Sequence, residues 1–444
     1  MTWSGWMERL IRAWDSYWFS PASLQRLAVC RLLAFGLLIV DLLFLQNDVF
    51  WRKADPYFWQ PVQVVRVFQK LLGFAPPEPI VLKTLAIATV ILAVGAFIGY
   101  RTRICALSSA VLYFCLTAIT FSWFSKVHHT HGVLVLLLLA LSLSPCGDAL
   151  SIDALLKRMR ASVARMRFSP EWESGMSRYA GWPLRLIGII VCLVYFSAGY
   201  AKLKNSGLGW ANGYTLSYSI IQDYYVWHPS TDFSLWMAQQ IPLLTIMQVF
   251  VLVIQFTFPV IIFVPKLRWI YLPAGLGFHL GTYVLMSTHF LWLWWNYMVF
   301  INWDVVGRWL KARLRIGQRP PRVDVVYDGA CPLCIRSMTL IAYFDWFRKL
   351  RYLDLMEWEA VSKSYPRLDR RACVDEMHVI DVQTGELFKG FFGFRRIARE
   401  VPLLWPLLPI FYLPGISIAG EQIYGLVAGN RLRLEESCTR HSCK

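Results

Sequence analysis

Apolar runs of about twenty residues recur along the first two thirds of this chain, and no other feature limits its folding so strongly. A bilayer core of ~30 Å is crossed by ~20 apolar residues in a helix, because a helix satisfies its own backbone donors and acceptors in lipid. Eight runs meet or approach that length, near 27–46, 81–99, 104–122, 132–145, 184–203, 242–264, 269–287 and 289–302. The fourth and eighth are short and must borrow flanking residues or tilt differently. Beyond about Asn302 the sequence becomes charged and turn-rich. The whole chain is 57% hydrophobic and only 16% charged, which is not the composition of a soluble protein. The opening MTWSGWMERLIRAWDSYW lacks the charged start, apolar core and cleavage site of a signal peptide, and its Trp and Arg spacing predicts a short interfacial helix.

The net charge of +17 raises the question of nucleic acid, but its distribution answers it differently. Arg101 and Arg103 follow the second run, and Lys157, Arg158, Arg160, Arg165 and Arg167 the fourth. Lys266 and Arg268 follow the sixth, and a cluster from Arg308 to Arg322 the eighth. Every even-numbered exit is basic, as the positive-inside rule requires of a chain with both ends cytoplasmic. Arg9, Arg12 and Arg26 agree, while Arg52, Lys53, Arg66 and Lys70 are the exception, in an aromatic loop expected on the outer membrane surface. The basic balance is a topology signal, and nucleic acid is not an expected partner. Of ten cysteines, Cys30, Cys105, Cys115, Cys146 and Cys192 fall in runs or at their inner ends, and the outer loops hold none. That distribution suits a reducing compartment, and the expected location is a bacterial inner (plasma) membrane.

Ionisable residues inside apolar runs are costly and mark candidate sites. His128, His129 and His131 enter the fourth run, where they can bind a proton or metal or form a wet interfacial cluster. Lys202 ends the fifth run, where it is either a desolvated base or a snorkelling lysine. His279 lies too deep in the seventh run to snorkel and needs a partner in the bundle, with Lys202 or His129 as candidates. Arg31 and Asp41 lie ~15 Å apart along the first run and must find partners on other helices, in structural roles.

RLLAFGLLIV, HHTHGVLVLLLL with SPCGDALSID, AGYAKLKNSGLGWANGY and the FH of the seventh run occur in this order. Over residues 20–305 they resemble the HTTM domain shared with vitamin K-dependent gamma-carboxylases. The resemblance implies Lys202 as the base acting on a hydroquinone, with His129 and His279 as functional histidines. It departs from the carboxylases in two ways. Their lysine pair is Ala201-Lys202 here, and no large β-rich region follows, so glutamate carboxylation is not the expected reaction.

The C-terminal third opens on VDVVYDGACPLC. Its β-branched run ends in a turn at Asp328-Gly329, then come Cys331, Cys334 and a helical pattern, IRSMTLIAYFDWFRK. RYLDLM, MHVID and GELFKGF supply further strands, predicting a thioredoxin-like α/β layout. Cys331 at a helix start is favoured as thiolate, and Cys334 one turn on can resolve a mixed disulfide. The competing reading is a zinc site completed by Cys373, His378, Cys438, His441 or Cys443, but the spacings are irregular. Inert structural cysteines are the third alternative. YDGACPLC, MHVID, GELFKGF and IYGLVAGNRLRL together resemble the DCC family of thiol–disulfide oxidoreductases over about 323–433. That resemblance implies Cys331 as nucleophile and Cys334 as resolving thiol. The proline that thioredoxins carry before their third strand is absent from ACVDEMHVID. The stretch 401–420 is long enough to cross a membrane, but its four prolines make it poorly helical, and the DCC resemblance implies helices packed on the domain.

The expected architecture is a polytopic α-helical membrane bundle of about eight spans followed by a small α/β thioredoxin-like domain. Its parts are an interfacial segment (1–22), the HTTM-like domain (23–305), a basic cytoplasmic linker (306–322), the thiol domain (323–433) and a tail (434–444). The expected function is a membrane-bound thiol–disulfide oxidoreductase using Cys331 and Cys334. Coupling to a quinone or hydroquinone in the bundle is expected, with Lys202, His129 and His279 as further catalytic candidates. The lipid bilayer and a cytosolic thiol protein or small thiol are the expected partners, with no metal. The alternative is a non-enzymatic protein of peptide or lipid export, binding or immunity with a redox-sensing thiol domain.

Overall fold

The computed structural model describes residues 3–45, 56–73, 76–124, 129–171, 175–227, 232–288, 293 and 295–430. The chain divides into two compact units, Met1–Ser151 with Gly175–Trp303, and Ile152–Ser174 with Asp304–Lys444.

Among the described residues of the first unit four helices are long and apolar enough to cross a membrane: Leu24–Phe44, Pro79–Ile98, Thr102–Trp123 and Trp182–Ala211. A fifth candidate belongs to the second unit, the pair Pro402–Phe411 and Ile416–Gly429, bent by 112°. Of the other sequence-expected spans, two are short among the described residues. His129–Ser142 has 14 residues, and Ile241–Thr257 stops just before Pro259. Arg268–Met286 runs for 19 residues with Pro273 inside it; of the eighth run, 289–292 and 294 lie outside the described residues, and Asn296–Phe300 is a 3₁₀ turn. Proline removes a helical hydrogen bond and crowds the preceding turn, which accounts for the end of Ile241–Thr257 ahead of Pro259.

Small residues set the packing of this unit. Ala86, Thr89, Ala93 and Ala96 line the buried face of Pro79–Ile98, so its backbone approaches its neighbours closely, as small residues permit between helices in lipid. The turn into the next helix is made by Gly99 at φ +75°, where a Cβ would strike Ser151 and come within 2.9 Å of Arg31 Nη1. The N-terminal helix Trp3–Trp18 is amphipathic, with Trp6, Leu10, Ile11 and Trp14 exposed on one stripe, as an interfacial helix requires.

Arg31 and Asp41 find their partners on other segments. Arg31, fully buried, donates to the carbonyls of Cys146 (2.9 Å) and Leu150 (2.5 Å), while Asp41 accepts from the Tyr113 hydroxyl at 2.7 Å. Replacing Arg31 by leucine strips two buried carbonyls of their donor, at ~1–3 kcal/mol each. Arg31→Leu is therefore expected to lower stability by about 3 kcal/mol, read as an earlier unfolding midpoint in detergent; an unchanged midpoint would refute the role.

The second unit is built on a four-stranded sheet in the spatial order Leu350–Asp354, Val323–Tyr327, His378–Asp381, Leu387–Lys389. The first two are parallel and the other pairings antiparallel. The central strand Val323–Tyr327 is buried throughout, and its residues alternate between two cores. Val323, Val325 and Tyr327 pack with Met338, Ile341 and Val379, whereas Val326 packs with Leu355, Val361 and Ile380. Asp324, on the side of Val326, is fully buried and holds Arg351 and the Tyr365 hydroxyl.

The segment Ile152–Ser174, expected from the sequence to lie within the membrane domain, groups with this second unit. Its helix Ile152–Ala164 packs along the helix Pro332–Phe344. Phe168 then stands edge-on between Tyr327 (5.5 Å) and Tyr352 (4.9 Å). Burying an aromatic ring this way supplies the apolar area that holds a polar loop in place.

Candidate functional site

The central strand delivers Tyr327 into a turn, Asp328-Gly329-Ala330, that ends on Cys331. Asp328 shapes the turn twice, through its carbonyl to Cys331 N (3.3 Å) and its Oδ1 to Ala330 N (2.9 Å). A second carboxylate fixes it from the adjacent strand. Asp354 accepts from Gly329 N at 3.0 Å, Met356 N at 2.9 Å and the Tyr327 hydroxyl at 3.1 Å. Gly329 is required here, because a Cβ would overlap the Asp354 carboxylate.

Cys331 is the N-cap of the helix Pro332–Phe344, with Pro332 in the first turn, where its missing N–H costs nothing. Its Sγ accepts the Cys334 backbone N–H at 3.3 Å, and its carbonyl takes Ile335 N at 3.0 Å. The thiol is held down from 9.0 to about 6, chiefly by the hydrogen bond from the Cys334 side chain and then by the backbone N–H groups of Cys334 and Leu333. Burial and the Asp328 charge oppose that shift. The result is a thiolate at neutral pH beside a second thiol one turn along. Alkylation of Cys331 by iodoacetamide should rise with pH through a midpoint near 6 and level off before pH 8. Mass spectrometry reads it directly, and a midpoint near 9 would remove the thiolate.

Cys373 and His378 lie on the same sheet unit but serve other ends. Cys373 is buried, and burial pushes its thiol above 9.0. His378 is buried with Nδ1 on the Glu376 carbonyl at 2.8 Å. Among the described residues no three His, Cys, Asp or Glu side chains converge as metal ligands. Cys438, His441 and Cys443 lie outside the described residues. Met377, just before the strand His378–Asp381, donates its N–H to the Tyr424 hydroxyl at 2.7 Å.

The first unit holds a second polar cluster. His279 Nε2 meets the Tyr195 hydroxyl at 2.6 Å, and Tyr195 also hydrogen-bonds the Tyr297 hydroxyl. All three are buried, and Tyr195 stacks on Phe258 at 4.0 Å. Gly275, one turn before His279, leaves the space that the Tyr297 hydroxyl enters. Lys202 is not bonded to this cluster: its Nζ reaches the Ala198 carbonyl at 3.3 Å and lies 5.2 Å from the Trp210 ring centre. It does share a helix with Tyr195, seven residues apart and so on one face. The side chains of His128 and His129 lie outside the described residues; His131 packs edge-on against Phe121 at 5.5 Å. Tyr195, Tyr297 and Asp354 were not singled out from the sequence. Tyr195 had a signal, its place two turns before Lys202, whereas Tyr297 sat unmarked in an aromatic run.

An apolar helical unit joined to a strand–CxxC–helix unit defines an integral membrane protein with a thiol site. The family model described as HTTM domain matches residues 19–304, about two thirds of the sequence, and that for DCC1-like thiol-disulfide oxidoreductase matches residues 325–437. The chain belongs to the HTTM-domain family, and carries a DCC1-like thiol–disulfide oxidoreductase domain. An uncharacterized chloroplastic protein of Arabidopsis thaliana is 26% identical over 114 residues, covering 26% of this chain and 52% of that relative. The match thus spans about half of the relative's own length. No solved structure matches.

Proposed function

We propose that this chain is a membrane-bound thiol–disulfide oxidoreductase in which Cys331 is the nucleophile and Cys334 the resolving thiol. The observation that carries the reading is the placement of Cys331 at the helix start, its sulfur accepting the Cys334 N–H at 3.3 Å. The Cys331 thiolate attacks a substrate disulfide, forming a mixed disulfide and releasing one substrate thiolate. Cys334, deprotonated, then attacks the Cys331 sulfur, releasing the second thiol and leaving a Cys331–Cys334 disulfide. Two electrons have passed to the substrate. A cytosolic thiol protein or small thiol restores the dithiol. The sheet order and the position of the cysteines support a thioredoxin-like reading of this unit.

We assign the first unit to a quinone-like molecule. Such a molecule, when bound as the hydroquinone, would supply two electrons and two protons, an alternative source to the cytosolic thiol for restoring the dithiol. The hydrogen-bonded Tyr195, His279 and Tyr297 can donate to a carbonyl oxygen, and Lys202 and His129 complete the proposed set. Eight crossings of a bacterial inner membrane, with both ends cytoplasmic, fit the basic exits; the shorter apolar segments complete the four long helices.

The test is a trap. In cells expressing Cys334→Ser, acid quenching and alkylation should preserve a mixed disulfide at Cys331, visible on a non-reducing gel and absent from Cys331→Ser/Cys334→Ser. If no adduct forms and Cys331 stays reduced in every condition, the oxidoreductase reading fails, and a non-enzymatic role becomes the better account.

A further inference from the structure

A cavity of about 460 Å³ in the C-terminal unit is used by nothing described so far. Cys334 lines it, together with Leu333, Ser337 and Ile341 of the same helix. Its remaining lining is aliphatic and aromatic, with polar side chains confined to Tyr327, Asp328, Ser337, Tyr424, Cys334 and Cys373. The volume falls in the ~300–1,000 Å³ range of small-molecule sites. Water gains few partners on such walls, so an apolar group is the fitting occupant.

The surface around the cavity says where that group comes from. Leu407, Ile423 and Val427 line the cavity and are also exposed on the outside of the unit, so the cavity opens onto that outer face. The face is formed by the bent pair Pro402–Phe411 and Ile416–Gly429, which together are long and apolar enough for a membrane segment. It exposes Trp405, Ile410, Leu413, Ile418 and Leu426 as well. Arg395 and Arg399 sit 4.7 and 5.1 Å from the Tyr412 ring centre, placing two cations beside an aromatic group. Exposed apolar side chains in this number, with Trp, Tyr and Arg beside them, match a segment lying in the lipid interface.

We infer that the cavity is the substrate-selecting subsite of the thiol pair, and that it takes the hydrocarbon chain of a small molecule dissolved in the membrane. The inference rests on Cys331 and Cys334 being the redox site. An apolar peptide segment and the chain's own residues 431–444 are the competing occupants.

Alkyl methanethiosulfonates test it, using the full-length Cys334→Ser chain in nanodiscs. The Cys331 thiolate attacks the thiosulfonate sulfur, forming Cys331–S–S–alkyl and releasing methanesulfinate, so each adduct is counted by mass. Rates are referred to a small thiol in the same nanodiscs, for chains from methyl to decyl. The relative rate should rise roughly two- to fourfold per methylene before levelling, as burial of hydrocarbon predicts. Ser337→Trp, which fills the cavity, should flatten the series while sparing the methyl reagent; Val427→Trp at the rim serves if that variant does not fold. A flat series with brisk methyl reaction overturns the inference and leaves the redox site standing. A steep series unmoved by Ser337→Trp or Val427→Trp also overturns it, since the chain then binds elsewhere. Suppression of every adduct by a peptide of residues 431–444, at all chain lengths, gives the cavity to the tail instead. No reaction even with the methyl reagent sinks the redox reading and this inference with it.

Discussion

Replacing Cys331 by serine should abolish reduction of a fluorogenic disulfide, by at least on the order of 10³-fold, without unfolding the C-terminal unit. The hydroxyl is isosteric with the thiol and is among the better N-caps, so the helix Pro332–Phe344 should be as stable as before or slightly more so. Loss of turnover with an unchanged unfolding transition separates chemistry from structure, and retained turnover would show that another group is the nucleophile. A pH series adds a second readout. The folded Cys331 thiol lies near 6, below its ordinary 9.0, so its ionisation stabilises the reduced native state. That contribution is fully present above about pH 9 and is lost as pH falls through 6. The serine variant lacks it, so the stability gap between the two reduced proteins should close in Cys331's disfavour on acidification from 9 to 6.

Gly329→Ala should be damaging by a different route. Its methyl group would overlap the Asp354 carboxylate, which holds Gly329 N, Met356 N and the Tyr327 hydroxyl. Displacing that carboxylate breaks three hydrogen bonds to a charged group and shifts the turn that presents Cys331. A loss of ~3 kcal/mol in unfolding free energy follows, with turnover reduced at least ~30-fold. The decisive comparison is Gly329→Ala made in an Asp354→Ala background. There the collision is gone, and the glycine substitution should cost less than ~1 kcal/mol. Additive losses would mean that the overlap is not the cause.

The thiol site was legible because its information is local. Val323–Tyr327 reads as a buried strand from its β-branched run, and the Asp-Gly turn and CxxC follow within a few residues. Asp354 was not legible, since only the register of Tyr327 beside Asp354 brings it to the turn. In the apolar unit the sequence disclosed where polar residues must find partners, and Arg31 and Asp41 found them. Which partner was a different matter. His279 meets Tyr195, eighty-four positions earlier, and hydropathy carries no trace of that pairing. Among the described residues four or five segments, not eight, are long and apolar enough to cross a membrane, for a related reason. Hydropathy sums over a window, while Pro259 acts at a single position and ends the helix at Thr257. In 401–420 four prolines in one stretch forbid a straight helix, and the pair Pro402–Phe411 and Ile416–Gly429 is bent by 112°.

The grouping of Ile152–Ser174 with the C-terminal unit imposes a schedule on synthesis. Phe168 emerges from the ribosome roughly 160 residues before Tyr327 and roughly 185 before Tyr352, the rings it lies against, and at ~5–20 residues per second the delay is on the order of ten seconds or more. During that interval an apolar ring and an amphipathic helix wait without their platform while later membrane segments are still being made. A ribosome stalled ahead of residue 323 would leave the waiting loop open to proteases and chaperones, and one stalled after residue 355 would not.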